Sequence, residues 1–421
     1  MPEKDKVIVA SLPNKVEEDC IYVIDQQNPN SYTHNYFKYP CKFIPEIPRW
    51  AINTYLKDKT NSIVLDPFAG SGTTLLEASL QNIPSVGAEI DNVAKLVIKV
   101  KTTILSKMQI DEIQSFMERI SERIKENNIS ESEVILPEIN NLNHWFTPEV
   151  LQQLGFIYYS ILTIKDRDIV DFLKIAMASI IKRVSNADDI SPKPYVSNKI
   201  KKIIPDVLKT FEDTVSRFIS GMEELSEKKL AQVRVAGDAT HIEEKDDTIS
   251  LAVTSPPYIN AFDYVRTMRL ENLWLHLATE EELLSAKKKY LGTESICSKK
   301  ESENLEILKD SSLLADYYNA VSKVDMKRAL VMKKFFEEMK KNLQELLRVL
   351  KKEGHYIIVI GNSNIRNVNI ESWKVLKDIS LNLGFTYVNH IGYEIQNPYI
   401  RIPRAGRGGK IAIDHILILK K

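Results

Sequence analysis

Leu65-Asp66-Pro67-Phe68-Ala69-Gly70-Ser71-Gly72-Thr73-Thr74 is the stretch around which this 421-residue chain is organised. It follows an apolar run, Ser62-Ile63-Val64-Leu65, that reads as a buried strand, and it leads into Leu75-Leu76-Glu77-Ala78-Ser79-Leu80, which reads as a helix. Strand, glycine turn and helix in that order aim backbone N–H groups and a helix N-terminus at a ligand. Gly70 and Gly72 admit φ > 0 and leave room for a ligand against the main chain. The spacing is not GxGxxG, and it lacks the GK[ST] ending of a Walker loop. No lysine stands ready for a β/γ-phosphate, which argues against a nucleoside triphosphate. Taken alone, Gly-x-Gly after a strand fits a plain tight turn equally well.

A second stretch changes the balance. Ile249-Ser250-Leu251-Ala252-Val253 is another buried-strand run, and it ends in Thr254-Ser255-Pro256-Pro257-Tyr258. Consecutive prolines stop the ladder and fix φ, so the adjacent carbonyls are free and held still. Ligands of open α/β sheets sit outside the carboxyl ends of the strands. Together the two stretches closely resemble the cofactor and catalytic motifs of the S-adenosylmethionine-dependent DNA amino-methyltransferases. Ser-Pro-Pro-Tyr is most similar to the N4-cytosine branch; the adenine-N6 branch more often carries Asp or Asn where Ser255 stands.

The resemblance implies a Rossmann-like α/β fold: a seven-stranded, mostly parallel sheet with a C-terminal antiparallel hairpin strand. Residues 30–100 and 230–421 form the expected catalytic domain, and 101–229 an added helical insertion. It assigns Ser255, Pro256, Pro257 and Tyr258 to catalysis. Asp66, Pro67, Phe68, Gly70, Gly72, Thr73, Thr74 and Thr254 go to binding S-adenosylmethionine.

Composition sets the outer limits. Hydrophobic content of 43% and charged content of 27% are ordinary for a globular protein. No run approaches the roughly 18 apolar residues of a membrane span. Met1-Pro2-Glu3-Lys4-Asp5-Lys6 lacks a signal pattern. Cys20, Cys41 and Cys297 are scattered without metal-ligand spacing, as in a reducing cytoplasm; no metal site is expected. With 57 basic and 57 acidic residues, bulk charge does not announce nucleic acid, so phosphate contacts must come from local patches.

Residues 1–30 offer little to read. Pro40-Cys41-Lys42-Phe43-Ile44-Pro45 is similar to the family segment that closes over the methionine end of the cofactor, which assigns that place to Lys42 and Phe43; a loop packed on the core is the alternative. A Pro-Cys pair carries the nucleophile in C5-cytosine methyltransferases, but there it follows the cofactor strand, so Cys41 reads as structural. Ser85-Val86-Gly87-Ala88-Glu89-Ile90-Asp91 reads as a second strand ending in acid. An acid there can accept from ribose hydroxyls. Glu89, with Ile90 beside it, matches the family position best, and Asp91 is the alternate. Val233 to Thr240 returns as a strand ending in Gly237-Asp238, where the resemblance places Asp238 and Ala239 at the cofactor's adenine.

From about Val93 to Lys229 the pattern is helical, with Thr147-Pro148-Glu149 a capping signal. A block this long normally has a task, and target reading is the one favoured here. Within it Arg183, Lys193, Lys199, Lys201 and Lys202 are candidates for phosphates and Asn186 for a base edge. A solvated face is the plainer alternative. Arg266 follows the catalytic strand. Residues 280–309 read as a mobile, charge-rich excursion, either clamping DNA or simply solvated, and a helix from 324 to 350 is expected to stop at Gly354. Arg401, Arg404 and Arg407 stand in a glycine-rich loop suited to a DNA backbone.

Cytosine N4 is a weak nucleophile because its lone pair is delocalised into the ring. Acceptors aimed at the amino hydrogens, the Ser255 hydroxyl and the Pro256 carbonyl, draw that pair out, and orientation supplies much of the remaining barrier lowering. Neither a metal nor a covalent intermediate is required. A paired base must be flipped out at a cost of a few kcal/mol, and Tyr258 is expected to stack on it. The expected activity is therefore site-specific N4-cytosine methylation of double-stranded DNA, in the cytoplasm of a bacterium or archaeon. A cognate restriction endonuclease would act on the same site. Adenine-N6 in DNA or a guanine amino group in RNA is the alternative, and a non-enzymatic DNA-binding protein the remote one. Cofactor motif before catalytic motif is similar to the α-type order, although the large block enters before the third strand.

Overall fold

The computed structural model describes residues 6–25, 30–40, 42–199, 201–259, 263–396 and 412–421. Eleven strands are found among them: β1 (Lys6–Val9), β2 (Ile21–Ile24), β3 (Val64–Asp66), β4 (Ser85–Gly87), β5 (Val233–Val235), β6 (Ile249–Thr254), β7 (Leu350–Gly361), β8 (Ser363–Ile365), β9 (Val368–Ile370), β10 (Thr386–Glu394) and β11 (Ile413–Lys420). Nine form one sheet in the order β1-β2-β10-β11-β7-β6-β3-β4-β5, while β8 and β9 make a separate hairpin. Every neighbouring pair in the sheet is parallel except the two that β11 makes, with β7 and with β10. Eight strands therefore run one way and β11 alone is reversed.

The seven strands expected are present, and the sheet is larger by two. β1 and β2 extend the edge beyond β10, where Gly392 pairs with Ile21 and Tyr393 with Tyr22. Each is only four residues long, too short for a periodicity to stand out from its polar surroundings.

The central strands are apolar on consecutive residues because both faces are covered, as parallel sheets require. Val64, Leu251, Val253, Ile357 and Val359 pack on one face with Ile47, Trp50 and Ala51 of α1 (Glu46–Tyr55). Their neighbours Leu65, Ala252 and Ile358 pack on the other with the apolar face of the helix Met326–Val349. The period of two thus survives inside runs that look uniformly hydrophobic.

α2 (Thr73–Leu80) follows the glycine turn and α3 (Asn92–Lys101) follows β4. The block between β4 and β5 is helical, as read: α4 (Lys107–Lys125), α5 (Leu142–Trp145), α6 (Pro148–Leu162), α7 (Arg167–Val184) and α8 (Val207–Glu223). Thr147 caps α6 by accepting from the Val150 N–H, with Pro148 in the first turn. The block shares one apolar cluster with Tyr36, Phe37 and Tyr39 and with Val93, Ala94 and Val97 of α3. It is built onto the catalytic face through common packing.

α9 (Tyr264–Thr267), α10 (Arg269–Trp274), α11 (Glu280–Ala286), α12 (Ser298–Glu303) and α13 (Ser312–Ser322) lead to α14 (Met326–Val349); α15 (Ser372–Leu383) precedes β10. Two expectations need correction. The charged stretch 280–309 is anchored: Leu283 and Ile307 are buried, and Lys333 of α14 donates to the carbonyls of Glu301 and Asn304. Nor does Gly354 end the long helix. α14 stops at Val349 and the chain turns directly into β7 through an extended Leu350, because pairing with β6 begins there.

Candidate active site

The glycine turn and the double-proline corner are tied together at their roots. The Thr254 hydroxyl donates to Asp66 Oδ1 at 2.6 Å, and the Phe68 N–H donates to the same oxygen at 3.1 Å. Asp66 is fully enclosed; burial pushes its carboxyl up to about 6 against these hydrogen bonds. Its Oδ2 has no partner. Gly70 and Gly72 both have positive φ, at 50° and 75°. A Cβ on Gly72 would lie 2.8 Å from Ile98 Cγ1, so that glycine is set by contact as well as by conformation. Lys101, buried at the end of α3, donates to the Ser71 carbonyl at 2.7 Å and pins the turn from below. Sequence reading gave no sign of that lysine, which sits among the apolar positions of its helix.

Glu89 and Asp91 divide the work at the end of β4. The Gly70 N–H donates to Glu89 Oε2 at 2.8 Å, and those of Ile90 and Asp91 donate to Oε1 at 2.8 Å each. Burial and the neighbouring Asp91 charge raise Glu89 to about 7. Its Oε2 keeps one acceptor position. Asp91 instead caps α3 through the Ala94 N–H and accepts from Asn272 and the Tyr290 hydroxyl.

One cavity of about 260 Å³ joins the two corners. From the glycine side it is walled by Pro67, Phe68, Gly70 and Thr73, and from the strand ends by Glu89, Ile90, Asp238 and Ala239. Lys42 and Phe43 close one side, and Ser255 and Pro257 form the wall at the proline corner. Lys42 also donates to the His34 carbonyl at 2.8 Å. Asp66, Gly72, Thr74 and Thr254 lie behind the wall and support it: Thr254 holds Asp66, and Thr74 donates to the Val253 carbonyl.

Pro256 and Tyr258 also stand outside the wall, which corrects the expectation for Tyr258. Its hydroxyl donates to Asp414 Oδ1 of β11 at 2.6 Å, and its ring packs against the core beneath α14. An acid buried enough to be raised to about 6 draws the phenol inward. The aromatic surface facing the cavity is a series of other tyrosines. Tyr264 stacks between Tyr39 and Tyr290, with centroids 6.0 and 6.1 Å away, and all three line the cavity. Lys288, Lys289, Leu291, Glu338 and Lys341 complete it. Tyr290 and its neighbours come from the charged stretch that looked solvated, and Glu338 and Lys341 from the long helix.

Of the residues expected at DNA, Arg183, Lys193 and Arg266 are exposed. Lys193 lies near Asp263, which caps α9 and pairs with Lys287 at 2.6 Å, so the end of the helical block and the loop after the proline corner meet at the cavity rim. Asn186 is corrected: its Nδ2 donates to the His144 carbonyl and its N–H to that of Trp145, so the side chain braces α5. Lys202 is likewise engaged, by Asp189 and two carbonyls. Arg401, Arg404, Arg407 and Cys41 lie outside the described residues. Among the described residues no group of His, Cys, Asp or Glu is placed to hold a metal ion, and no helix is long and apolar enough to cross a membrane.

The family model of the DNA methylases matches residues 3–99, which include Lys42, the glycine turn and Glu89. Over those residues the chain is similar to the DNA methylases. The chain is 26% identical over 400 residues to the Type II methyltransferase M.MvaI of Kocuria varians, covering 90% of its own length and 87% of that protein. It is 25% identical over 308 residues to M.BsoBI of Geobacillus stearothermophilus, covering 62% of its own length and 58% of the relative. A solved methyltransferase from Methanosarcina mazei overlaps 88% of this chain and 96% of its own, at 9% identity and a TM-score of 0.33.

Proposed function

We propose that the protein transfers a methyl group to the exocyclic N4 of a flipped-out cytosine in double-stranded DNA, as the modification enzyme of a type II restriction system. The observation that carries this reading is the cavity itself, one hollow lined by Ser255 as well as by Gly70, Glu89 and Lys42.

The residues fit the cofactor. Glu89 Oε2 has an acceptor position left for a ribose hydroxyl, and the Ser71 Oγ is buried at the cavity without a partner. Lys42 stands ready for a carboxylate. We assign Lys42, Phe43, Pro67, Phe68, Gly70, Thr73, Glu89, Ile90, Asp238 and Ala239 to direct contact, with Asp66, Gly72, Thr74 and Thr254 behind them. When bound, S-adenosylmethionine supplies an electrophilic methyl on a positive sulfonium.

The chain's own part is to hold the base and polarise its amino group. The Ser255 hydroxyl accepts from the amino hydrogens, which localises the nitrogen lone pair toward the methyl; the Pro256 carbonyl, expected to share that task, stands outside the wall. Pro256 and Pro257 fix the corner so that this geometry is set before the base arrives. The outer faces of the Tyr39–Tyr264–Tyr290 stack offer the aromatic surface that offsets part of the flipping cost, about 1–3 kcal/mol per base. After transfer the surplus proton leaves N4 for water. The helical block, residues 101–229, together with Arg183, Lys193 and Arg266, meets the duplex, and the loop with Arg401, Arg404 and Arg407 is assigned to its backbone. A cognate endonuclease would share the target sequence without a stable complex.

The test is transfer of labelled methyl from S-adenosylmethionine to DNA followed by nucleoside digestion. Labelled 4-methylcytosine is expected. Labelled 6-methyladenine would overturn the choice of base, and an unlabelled digest the whole assignment. Ser255→Ala should lose at least about tenfold in kcat while binding cofactor normally, as expected when one acceptor acting in the transition state is removed.

A further inference from the structure

Glu338 is the one acid of the long helix α14 that reaches the cavity wall. It lies one helical turn before Asn342, whose Nδ2 donates to the Ala239 carbonyl at 2.7 Å. That bond fixes Glu338 beside Asp238, Ala239 and Thr240. The Gly292 N–H, Lys334 at a loose 3.7 Å and Lys341 favour its charged form, and Glu301 opposes it. Oε2 is buried without a hydrogen-bond partner. A desolvated carboxylate oxygen is costly until a donor meets it, and the residue that carries this one lines the cavity. Asp238, the acid sequence reading favoured for this end, is spent differently: its Oδ1 accepts from both the N–H and the hydroxyl of Thr240, at 2.6 and 2.7 Å, and the residue is exposed. Ile90 and Leu291 supply flat apolar surface in the same wall. The unmet need is therefore a donor carried on an apolar, planar group.

We propose that Glu338 accepts a hydrogen bond from the exocyclic amino group of the methyl donor's adenine ring and so makes the site discriminate against a purine bearing oxygen there. This rests on the reading of the cavity as the S-adenosylmethionine site. Burial raises the Glu338 carboxyl to about 7, so the acceptor strengthens as it ionises, and affinity for an amino-bearing ring rises with pH through that range.

The probes are S-adenosylhomocysteine and its hypoxanthine analogue, titrated calorimetrically into the full chain without DNA. Wild type should favour the adenine compound roughly ten- to hundredfold, the range of a hydrogen bond to a charged group. Glu338→Gln, whose amide can face either ring, should reduce that preference at least tenfold. It should also abolish the rise in S-adenosylhomocysteine affinity between pH 6 and 8. Glu338→Ala should lose both, with Asn342 and the fold untouched by circular dichroism. Preference retained in both variants, or lost instead in Asp238→Asn, overturns the assignment of Glu338. A wild type that binds neither compound overturns the reading of the cavity itself, which is a different failure.

Discussion

The Thr254 hydroxyl donates to Asp66 Oδ1 at 2.6 Å, joining the ends of two parallel strands whose following turns form opposite walls of one cavity. Neither side chain reaches the cavity, and both are enclosed. Thr254→Val keeps the shape and removes the 2.6 Å donor, leaving Asp66 Oδ1 with the longer Phe68 N–H contact. Taking a hydrogen-bond donor from a buried acid costs about 1–3 kcal/mol. We expect a urea midpoint lowered accordingly, weaker binding of S-adenosylhomocysteine, and recovery of both in Thr254→Ser. A Thr254→Val protein with unchanged midpoint would mean that strand pairing alone sets the corner.

Tyr258 raises the corresponding question on the other side of Ser255. If its task were stacking on a base, Tyr258→Phe would retain full activity. The hydroxyl bound to Asp414 at 2.6 Å predicts the opposite: kcat falls while cofactor affinity holds, because the Pro256-Pro257 corner loses its tether to β11. The stability loss should also depend on pH. Removing a donor to Asp414 pushes its carboxyl above the present value of about 6, so the variant suffers more at pH 8, where the group is ionised, than at pH 5. Unfolding of both proteins at the two pH values checks this.

The two turns, the acid after β4 and the helical block were legible because each is local: a short run of residues carries both the element and the signal. What escaped notice was assembled from distant parts of the chain. Asp414 is 156 residues from Tyr258, so the partner that turns the phenol inward leaves no trace near Ser255-Pro256-Pro257-Tyr258. Lys101 reads as the polar end of an amphipathic helix, yet it supports the Ser71 carbonyl. Tyr290 sits among lysines and acids that look solvated, but its hydroxyl reaches Asp91 199 residues earlier. Asn186 was misread for the same reason: its partners, the carbonyls of His144 and Trp145, come from a four-residue helix that sequence alone does not announce.

The buried Glu89 makes stability fall as pH rises. Glu89 has a folded pKa near 7 against an ordinary value of 4.5, so its favourable contribution is complete below pH 4.5 and lost as pH climbs through 7. Lys101 is shifted the other way by burial, so the comparison is best made against an isostere that leaves Lys101 in place. The unfolding free energy of wild type minus that of Glu89→Gln should decrease steadily from pH 5 to pH 8. Saturating S-adenosylhomocysteine should shrink the decrease, since a ribose hydroxyl on Oε2 favours the ionised form. A difference that is flat, or that grows with pH, contradicts the assignment.

Gly72 separates conformational from steric constraint. Its φ of 75° lies where a Cβ costs roughly 1 kcal/mol, and the added carbon would also meet Ile98 Cγ1 at 2.8 Å. Gly72→Ala should therefore reduce both stability and cofactor affinity, because the N–H groups of the turn shift with the backbone. Ile98→Ala opens the contact without altering φ. In a double-mutant cycle the pair should recover the steric part and keep the conformational part, giving an interaction free energy outside the few tenths of a kcal/mol expected of independent sites. At Gly70 the corresponding contact is 3.0 Å to Tyr39 Cε1, on a ring that can yield. Gly70→Ala should consequently disturb stability less than Gly72→Ala does, with its effect concentrated in cofactor binding, since the Gly70 N–H is what orients Glu89 Oε2. Equal losses of stability in the two variants would show that backbone conformation, and not contact with Ile98, governs the turn.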